Sequence, residues 1–240
     1  MFILTEKGNP NPMKISFEEQ HNEIIYRVHD FDPKYEPVLQ MCFYQNDGHG
    51  YIKKYPKNAK YIKNMQKRYS QNAKLMFDQL GYFTDVPWKT GLAKFCSMVQ
   101  DSTIDWWLTG SCAACIRGIE LNPHDIDIMI NSKSVDEITE LFKDYLIEPI
   151  VDTNGWLTKD FGVMFMDVRI DIASDPSPVL DNPEPVDCGP YALKNLEIVQ
   201  WNGFEIRVPP LELQLNVNRK RGRLDRVDKI ADFLGNVRCG

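Results

Sequence analysis

The segment Trp107–Ile130, WLTGSCAACIRGIELNPHDIDIMI, decides how this chain is interpreted. It places Gly110 and Ser111 at the end of an apolar run, and Asp125 and Asp127 within an otherwise apolar stretch. Residues two apart on a β-strand point to the same face, so the two carboxylates are expected side by side. Two such anions repel each other unless a cation lies between them. The pattern therefore predicts a site for Mg²⁺, or for Mn²⁺ in its place, together with bound phosphate.

A second acidic segment follows in the sequence GVMFMDVRIDIA, residues 162–173. Its alternation predicts one continuous strand with Asp167, Arg169 and Asp171 on one face. If this strand lies beside the first acidic strand, three or four carboxylates converge. A two-metal site requires such a cluster, with cations roughly 3.5–4 Å apart. An ion pair with Arg169, or a solvated strand face, is the alternative interpretation of both acids.

The Gly-Ser pair supplies the complementary half of a phosphate site. Gly110 lets the backbone approach a phosphate closely. Ser111 is predicted to begin a helix, whose free N–H groups and dipole favour an anion. A triphosphate held in this way reacts through positioning and charge neutralisation rather than through a covalent enzyme intermediate. His124, which precedes the acidic pair, is interpreted as a turn residue, with a role in the site as the alternative.

The chain is predicted to consist of an N-terminal extension, 1–85, and a domain over 86–240. In the extension, the segments KISF, EIIYRV and PVLQMCFYQ predict β-strands because they are rich in aromatic and branched residues. Apolar residues at helical spacing predict a helix over 58–80. In the domain, helices alternate with strands, and Asn202-Gly203 marks a hairpin. The expected fold class is mixed α/β (α+β).

The composition is that of a soluble globular protein, with 240 residues, 43% hydrophobic and 26% charged. No apolar run approaches the roughly 20 residues that a membrane helix needs. The N-terminus MFILTEKGNPNP lacks the features of a signal peptide. We therefore expect a cytoplasmic protein with no membrane partner and with reduced thiols.

The net charge of −6 argues against a dedicated nucleic-acid binder. The basic residues are nevertheless clustered. Eight Lys or Arg and no acid lie between Tyr51 and Phe77, and a second basic cluster runs from Arg219 to Lys229. The Lys-rich helix predicted within 53–74 is interpreted as a solvated face, with a phosphate-rich partner such as RNA as the alternative.

A Gly-Ser pair, an Asp-x-Asp strand and a later strand with a third Asp resemble the DNA polymerase β-like nucleotidyltransferase superfamily. The string LTGSCAACIRGIELNPHDIDIMI is especially similar to small bacterial nucleotidyltransferases with the pattern GS…G-x-x-x-x-P-H-D-I-D. These are similar to the lincosamide and aminoglycoside adenylyltransferases. The resemblance covers about residues 105–235, whereas residues 1–85 match no family we can name. It implies a nucleotidyltransferase fold with a mixed central sheet flanked by helices.

The resemblance also implies roles for individual residues. The implied phosphate-binding residues are Gly110 and Ser111, and the implied metal ligands and catalytic residues are Asp125, Asp127 and Asp171. In antibiotic-modifying relatives, the third carboxylate also acts as general base on the acceptor hydroxyl. Asp167 competes with Asp171 for either role.

The tail RKRGRLDRVDKIADF resembles the family's R-x-x-K-D-x-x-D-I ending, in which basic residues approach the phosphates. A lysine often found earlier in this helix is absent here, where Gln214 and other uncharged polar residues stand. The candidates to replace it as nucleotide-binding residues are Arg219, Lys220 and Arg223.

The implied reaction transfers a nucleoside monophosphate from an NTP, ATP being the first candidate, to an acceptor hydroxyl, and releases pyrophosphate. A small molecule such as an antibiotic is the first candidate acceptor. An RNA end or a protein side chain, as in nucleotidyltransferase toxins, is the alternative. A non-catalytic protein of the same fold that binds nucleotide or RNA also fits the residues. The oligomeric state is left open.

Overall fold

The computed structural model describes residues 13–238, with side chains described through Gly235. The N-terminal segment MFILTEKGNPNP, on which the signal-peptide interpretation depends, lies outside the described residues. None of the helices in the described part of the chain combines the length and apolarity that crossing a bilayer requires.

The strands and helices follow one another in mixed order along the chain. The strands are β1 (Lys14–Gln20), β2 (Glu23–His29), β3 (Gln45–Asn46), β4 (Tyr51–Pro56), β5 (Trp106–Thr109), β6 (Ile126–Ile130), β7 (Leu146–Asp152), β8 (Asp160–Phe165), β9 (Arg169–Ser174), β10 (Glu197–Trp201) and β11 (Phe204–Val208). The helices are α1 (Glu36–Met41), α2 (Ile62–Leu80), α3 (Trp88–Val99), α4 (Gly110–Cys115), α5 (Val135–Leu141), α6 (Pro190–Lys194), α7 (Leu211–Lys220) and α8 (Leu224–Arg238).

A five-stranded mixed sheet with the order β5-β6-β9-β8-β7 forms the centre of the fold. Of the four pairs of neighbouring strands in this sheet, β6 and β9 run parallel and the other three run antiparallel. The register of β6 and β9 places Asp127 opposite Asp171. On one face, Gly91 of α3 lies against Ile126. On the other face, Met76 of α2 contacts the side chain of Arg169. The mixed sheet flanked by helices, and with it the predicted fold class, is confirmed.

The N-terminal part forms an antiparallel sheet with the order β1-β2-β4-β3, followed by α2. The strands predicted for KISF and EIIYRV are confirmed, but most of PVLQMCFYQ is not a strand: its first residues lie in α1 and only its last residue enters β3. Pro37 lies in the first turn of this helix and Glu36 begins it, and both residue types favour a helix start. The branched residues that suggested a strand, such as Val38, instead face the core.

Buried side chains of the N-terminal part and of the central sheet belong to one continuous core. Tyr26 and Tyr69 in the first part and Phe95 and Ile170 in the second are all fully buried within it. The α2 helix contributes buried side chains to this core from residues spaced three and four apart, as its sequence pattern indicated. A domain boundary near residue 85 stays a prediction.

The segment 162–173 is not one continuous strand. It is part of the hairpin of β8 and β9, and its turn contains Asp167 at a φ of +64°. The amide of Met166 donates to the carbonyl of Val168 across this turn, at 2.9 Å. Aspartate adopts positive φ more readily than most residues, so the chain reverses here without glycine or proline. The alternation in the sequence runs unbroken through the reversal, which is why a single strand was predicted.

The Lys-rich segment 53–74 is also only partly helical, because its first residues form β4. Most of its cations are paired with acids, and these pairs are Lys53–Glu148, Lys54–Glu23, Lys57–Glu19, Lys60–Glu140, Arg68–Asp144 and Lys74–Asp78. A surface that binds phosphates needs cations that are not already neutralised. The interpretation of this segment as a solvated face is therefore favoured over an RNA-binding surface.

Candidate active site

Three carboxylates meet at one edge of the central sheet. Oxygens of Asp125, Asp127 and Asp171 all lie within 4.8 Å of one another. The parallel pairing of β6 with β9 causes this approach, because it places Asp127 directly beside Asp171. Asp125 precedes β6 by one residue and, two positions before Asp127, points to the same side. The structure thus brings together the three acids that the sequence analysis selected.

The acids of this cluster destabilise one another's charged forms. Burial, followed by repulsion from Asp171, raises the pKa of Asp125 to about 7. Burial, followed by repulsion from Asp125, raises the pKa of Asp127 well above its usual value. Hard oxygen ligands that are close, largely buried and mutually repelling are what a divalent cation of the Mg²⁺ type stabilises. The residues present therefore fit such an ion.

Arg169 holds the third carboxylate. Its Nε donates to Asp171 Oδ1 at 2.5 Å, and its side chain is 3% exposed. The other end of the guanidinium contacts Cys42 Sγ at 3.5 Å and Met76 Sδ at 4.0 Å, both from the N-terminal part. The ion pair considered as an alternative role for Asp171 thus exists within the acidic cluster. It fixes the orientation of that carboxylate.

Asp167 does not join the cluster, contrary to the expectation that it shares a face with Asp171. It lies in the turn between β8 and β9, and 68% of its side chain is exposed. Its nearest cation is Lys94, at 3.8 Å. The turn separates the two acids that a continuous strand would have placed together, so Asp171 provides the third carboxylate.

Gly110 makes room for the acidic cluster. It has a φ of +66°, and a side chain at this position would overlap with the Asp127 carboxylate, whose Cγ would be 2.9 Å from the added Cβ. Its amide donates to Asp187 Oδ2 at 3.2 Å, and its carbonyl accepts from Gln214 Nε2 at 2.8 Å. The sequence analysis did not select Asp187. Gln214 lies in the stretch where related sequences often have a lysine. Its side chain instead holds the Gly-Ser turn in place through the hydrogen bond to Gly110.

A cleft of about 310 Å³ opens over the carboxylates. Ser111, at the start of α4, lies in its wall and is 9% exposed. Three arginines of the tail also line the cleft, namely Arg221, Arg223 and Arg226. The structure does not bring Arg219 or Lys220 to the cleft, because both lie on the exposed side of α7 near its end. A turn between α7 and α8 separates them from Arg223, and the tail motif alone could not show this turn.

His124 lies in the cleft wall beside the acidic pair. Its ring stacks on Tyr82 with centroids 5.4 Å apart, and its Nε2 is 3.4 Å from Asp125 Oδ1. Burial, followed by the positive charge of Arg226 and Arg223, lowers its pKa to about 4. The imidazole is therefore neutral at neutral pH and adds no charge to the site.

The cysteines near the site are thiols. All five cysteines in the described residues are free. Cys112 and Cys115 lie in α4, and their Sγ atoms contact the carbonyl oxygens of Asp125 and Leu121. These contacts tie the short helix to the loop that carries the acids.

Lowering the pH is expected to stabilise the metal-free protein. The pKa of Asp125 is about 7 when folded, compared with 3.8 for an ordinary aspartate. Its contribution to stability is therefore fully present below about pH 4 and is lost as the pH rises through about 7, at up to about 1.4 kcal/mol per pH unit for one proton. Urea unfolding in EDTA between about pH 5 and pH 8 measures this dependence. Asp125→Asn should reduce the slope, and an unchanged slope would contradict the assignment.

Comparisons with known proteins bear on the same region. The model of the aminoglycoside-2''-adenylyltransferase family matches residues 91–172. Comparison with curated proteins found no match. Among solved structures, a nucleotidyltransferase-type protein of Thermotoga maritima (TM1012) is 19% identical, covers 62% of this chain and 93% of that one, and has a TM-score of 0.45.

Two further structures are similar at the same level. The lincosamide antibiotic adenylyltransferase LnuA, bound to lincomycin, is 12% identical, covers 62% of this chain and 98% of that one, and has a TM-score of 0.43. An antigenic nucleotidyltransferase-like protein of Paracoccidioides brasiliensis is 14% identical, covers 60% of this chain and 75% of that one, and has a TM-score of 0.41.

The family match runs across the region that builds the site, from α3 through the Gly-Ser turn and the Asp-x-Asp strand to Asp171. It confirms the resemblance found in the sequence: the part of this chain that builds the site is similar to the aminoglycoside-2''-adenylyltransferase family.

Proposed function

We propose that this protein transfers a nucleoside monophosphate from an NTP, with ATP as the first candidate, to a hydroxyl group of a small molecule. The observation that carries the proposal is the group of three carboxylates within 4.8 Å of one another, in a cleft that also contains arginines. Cations and anions in one cleft suit a reaction in which a metal-bound triphosphate loses pyrophosphate.

Asp125, Asp127 and Asp171 would hold Mg²⁺ or Mn²⁺, which when bound neutralises charge on the reacting phosphate and the leaving group. The acceptor oxygen forms a bond to the α-phosphorus, and the bond between that phosphorus and the oxygen bridging to the β-phosphate breaks. The leaving pyrophosphate takes the electron pair of the broken bond. The hydroxyl proton passes to a carboxylate oxygen, for which Asp171 is our candidate.

The two substrates are assigned to opposite sides of Asp171. Ser111 and the cleft arginines lie on the side of β5, α7 and α8, and we assign the nucleotide phosphates to them. Backbone N–H groups beside Ser111 and the guanidinium groups are donors suited to phosphate oxygens. On the other side of β9 lie β8 and β7, where an acceptor can approach. A base at Asp171 therefore lies between the two substrates.

Incubation with α-labelled ATP, GTP, CTP and UTP, Mg²⁺ and a panel of small hydroxyl compounds tests the proposal. We expect label to move to a small molecule with release of pyrophosphate, and transfer to require the divalent ion. Label on RNA or on a protein would instead favour the alternative acceptors. Metal-dependent NTP binding by calorimetry, without turnover of any acceptor, would favour the non-catalytic alternative.

Arg223→Ala is expected to weaken MgATP binding by about tenfold, because a charge-assisted hydrogen bond contributes roughly 1.5–3 kcal/mol before rearrangement. Arg223 lines the cleft, whereas Lys220 does not. Lys220→Ala, a loss of one positive charge from the same tail, is the matched control and should leave the calorimetric Kd unchanged. Equal losses in the two variants would indicate a diffuse charge effect rather than a contact at Arg223.

A further inference from the structure

A second cavity, of about 300 Å³, lies next to the acidic cleft. Four aromatic residues line its walls: Phe43, Tyr55, Trp156 and Phe161. Phe43 and Trp156 meet edge to face with ring centroids 4.7 Å apart, and Trp156 meets Phe161 at 6.2 Å. A cavity of this size with aromatic walls is typical of small-molecule sites.

The pairing of the central strands places this aromatic cavity on the same face of the sheet as the carboxylates. One row of paired residues runs across the sheet from Asp127 through Asp171 and Val163 to Glu148. Paired residues on neighbouring strands point to the same face. Glu148, which lines the cavity, is thus two strands from Asp171, about 10 Å at the usual spacing. A small molecule can span this separation.

Phe43 also connects the two cavities, because it lines both. It has a φ of +63°, and 59% of its area is exposed. Folding does not bury this ring. An exposed aromatic surface between an acidic cluster and an apolar cavity is suited to contact with a ligand.

The charges at the inner end of the aromatic cavity cancel. Glu148 is 1% exposed, and its carboxylate accepts from Lys53 Nζ at 2.8 Å and from the Tyr44 hydroxyl at 3.0 Å. Burial tends to raise the pKa of Glu148, but Lys53 and Arg169 outweigh it and hold the pKa below its usual value. The carboxylate is therefore ionised and paired with Lys53. The remaining acid in the cavity lining is Asp152, which is exposed, so water and salt weaken its attraction for a polycationic ligand.

We propose that the aromatic cavity binds the acceptor, and that the acceptor is an uncharged hydroxyl compound with an apolar ring rather than a polycationic aminosugar. The ring packs against Phe43 and Trp156, and the hydroxyl extends past Phe43 to the oxygens of Asp171. This inference rests on the proposed nucleotidyl transfer. It assigns acceptor selection to Phe43 and Lys53 of the N-terminal part. The sequence suggested no function for Phe43, and for the segment of Lys53 it suggested only a solvated face or a phosphate-rich partner.

Three matched probes test the chemistry of the acceptor. Phenyl β-D-glucoside and methyl β-D-glucoside present the same sugar hydroxyls and differ in the ring, and 2-deoxystreptamine is a dicationic polyol. Calorimetry with Mg²⁺ and a non-hydrolysable ATP analogue gives their affinities, and α-labelled ATP reports transfer. We expect the phenyl glucoside to bind at least about tenfold more tightly than the methyl glucoside, with 2-deoxystreptamine weakest.

Trp156→Ala tests the location of the site. Trp156 is 40% exposed, so its removal leaves the fold intact, and we expect it to abolish the advantage of the phenyl glucoside. The effect should appear as a raised KM for that probe with little change in KM for ATP. Trp201→Ala removes a partly buried tryptophan that stacks on Trp88 and lines neither cavity, so it serves as the matched control.

The outcomes separate the two proposals. Equal affinities for the two glucosides, preference for 2-deoxystreptamine, or an unchanged phenyl advantage in Trp156→Ala would overturn the acceptor assignment while nucleotidyl transfer stands. Failure of the wild-type protein to bind MgATP or to transfer label to any probe or panel compound would overturn the proposed function, and the acceptor assignment with it.

Discussion

Asp127→Asn is expected to lower nucleotidyl transfer by more than about a thousandfold, because a lost metal ligand removes several kcal/mol of transition-state stabilisation. The same substitution should raise the free energy of unfolding of the metal-free protein at neutral pH, on the order of 1 kcal/mol. Asp127 is half-buried beside two other carboxylates, and the amide removes one repelling charge. A loss of activity accompanied by a gain of stability distinguishes a metal ligand from a structural residue.

Label transfer from ATP and urea unfolding in EDTA measure the two effects. Asp167→Asn is the matched control, because this acid lies nearby in sequence but faces solvent in the turn between β8 and β9. It should change neither activity nor stability appreciably. Full activity in Asp127→Asn, or equal losses in both variants, would contradict the assignment of the acidic cluster.

Gly110→Ala is expected to reduce transfer by about a hundredfold or more and to destabilise the fold by roughly 1–3 kcal/mol. The added methyl group would occupy the space of the Asp127 carboxylate, so that carboxylate must move away from Asp125 and Asp171. The backbone at this position is also in the left-handed region, which is costly for alanine. Metal-dependent ATP binding should weaken together with activity.

Gly203→Ala isolates the backbone contribution. Gly203 also has a positive φ, of +84°, but nothing lies within 4 Å of the added Cβ. It belongs to the hairpin turn between β10 and β11, away from the carboxylates. This variant should lose stability while retaining activity. If Gly110→Ala behaves in the same way, the close approach to Asp127 has no catalytic consequence.

The acidic core of the site could be predicted from sequence because its signals are local. Asp125 and Asp127 are two residues apart, and their apolar neighbours identify a buried strand. The Asn202-Gly203 turn was equally clear, because both residues have positive φ, as a two-residue hairpin turn requires. Asp171 could be identified as a candidate, but its approach to Asp127 depends on the parallel pairing of β6 with β9.

The features that could not be predicted depend on distant parts of the chain. Asp187 fastens Gly110 across 77 residues, and Gln214 does so across 104. No spacing rule connects such positions. The turn at Asp167 lacks glycine and proline, so the alternating pattern continues through it. In α1, Pro37 signals a helix start, but the neighbouring branched residues suggested a strand.

The guanidinium of Arg169 has a consequence for how this protein can be engineered. One end of it holds Asp171, and the other end is sealed from water by Cys42 and Met76. Deleting the first eighty or so residues would expose the Arg169 guanidinium to water and remove the contacts that fix its position. The Asp171 carboxylate that it orients would then also lose its fixed position. The acidic motif therefore depends on its N-terminal cover, and a graft of either piece onto another protein must restore both sets of contacts of this guanidinium.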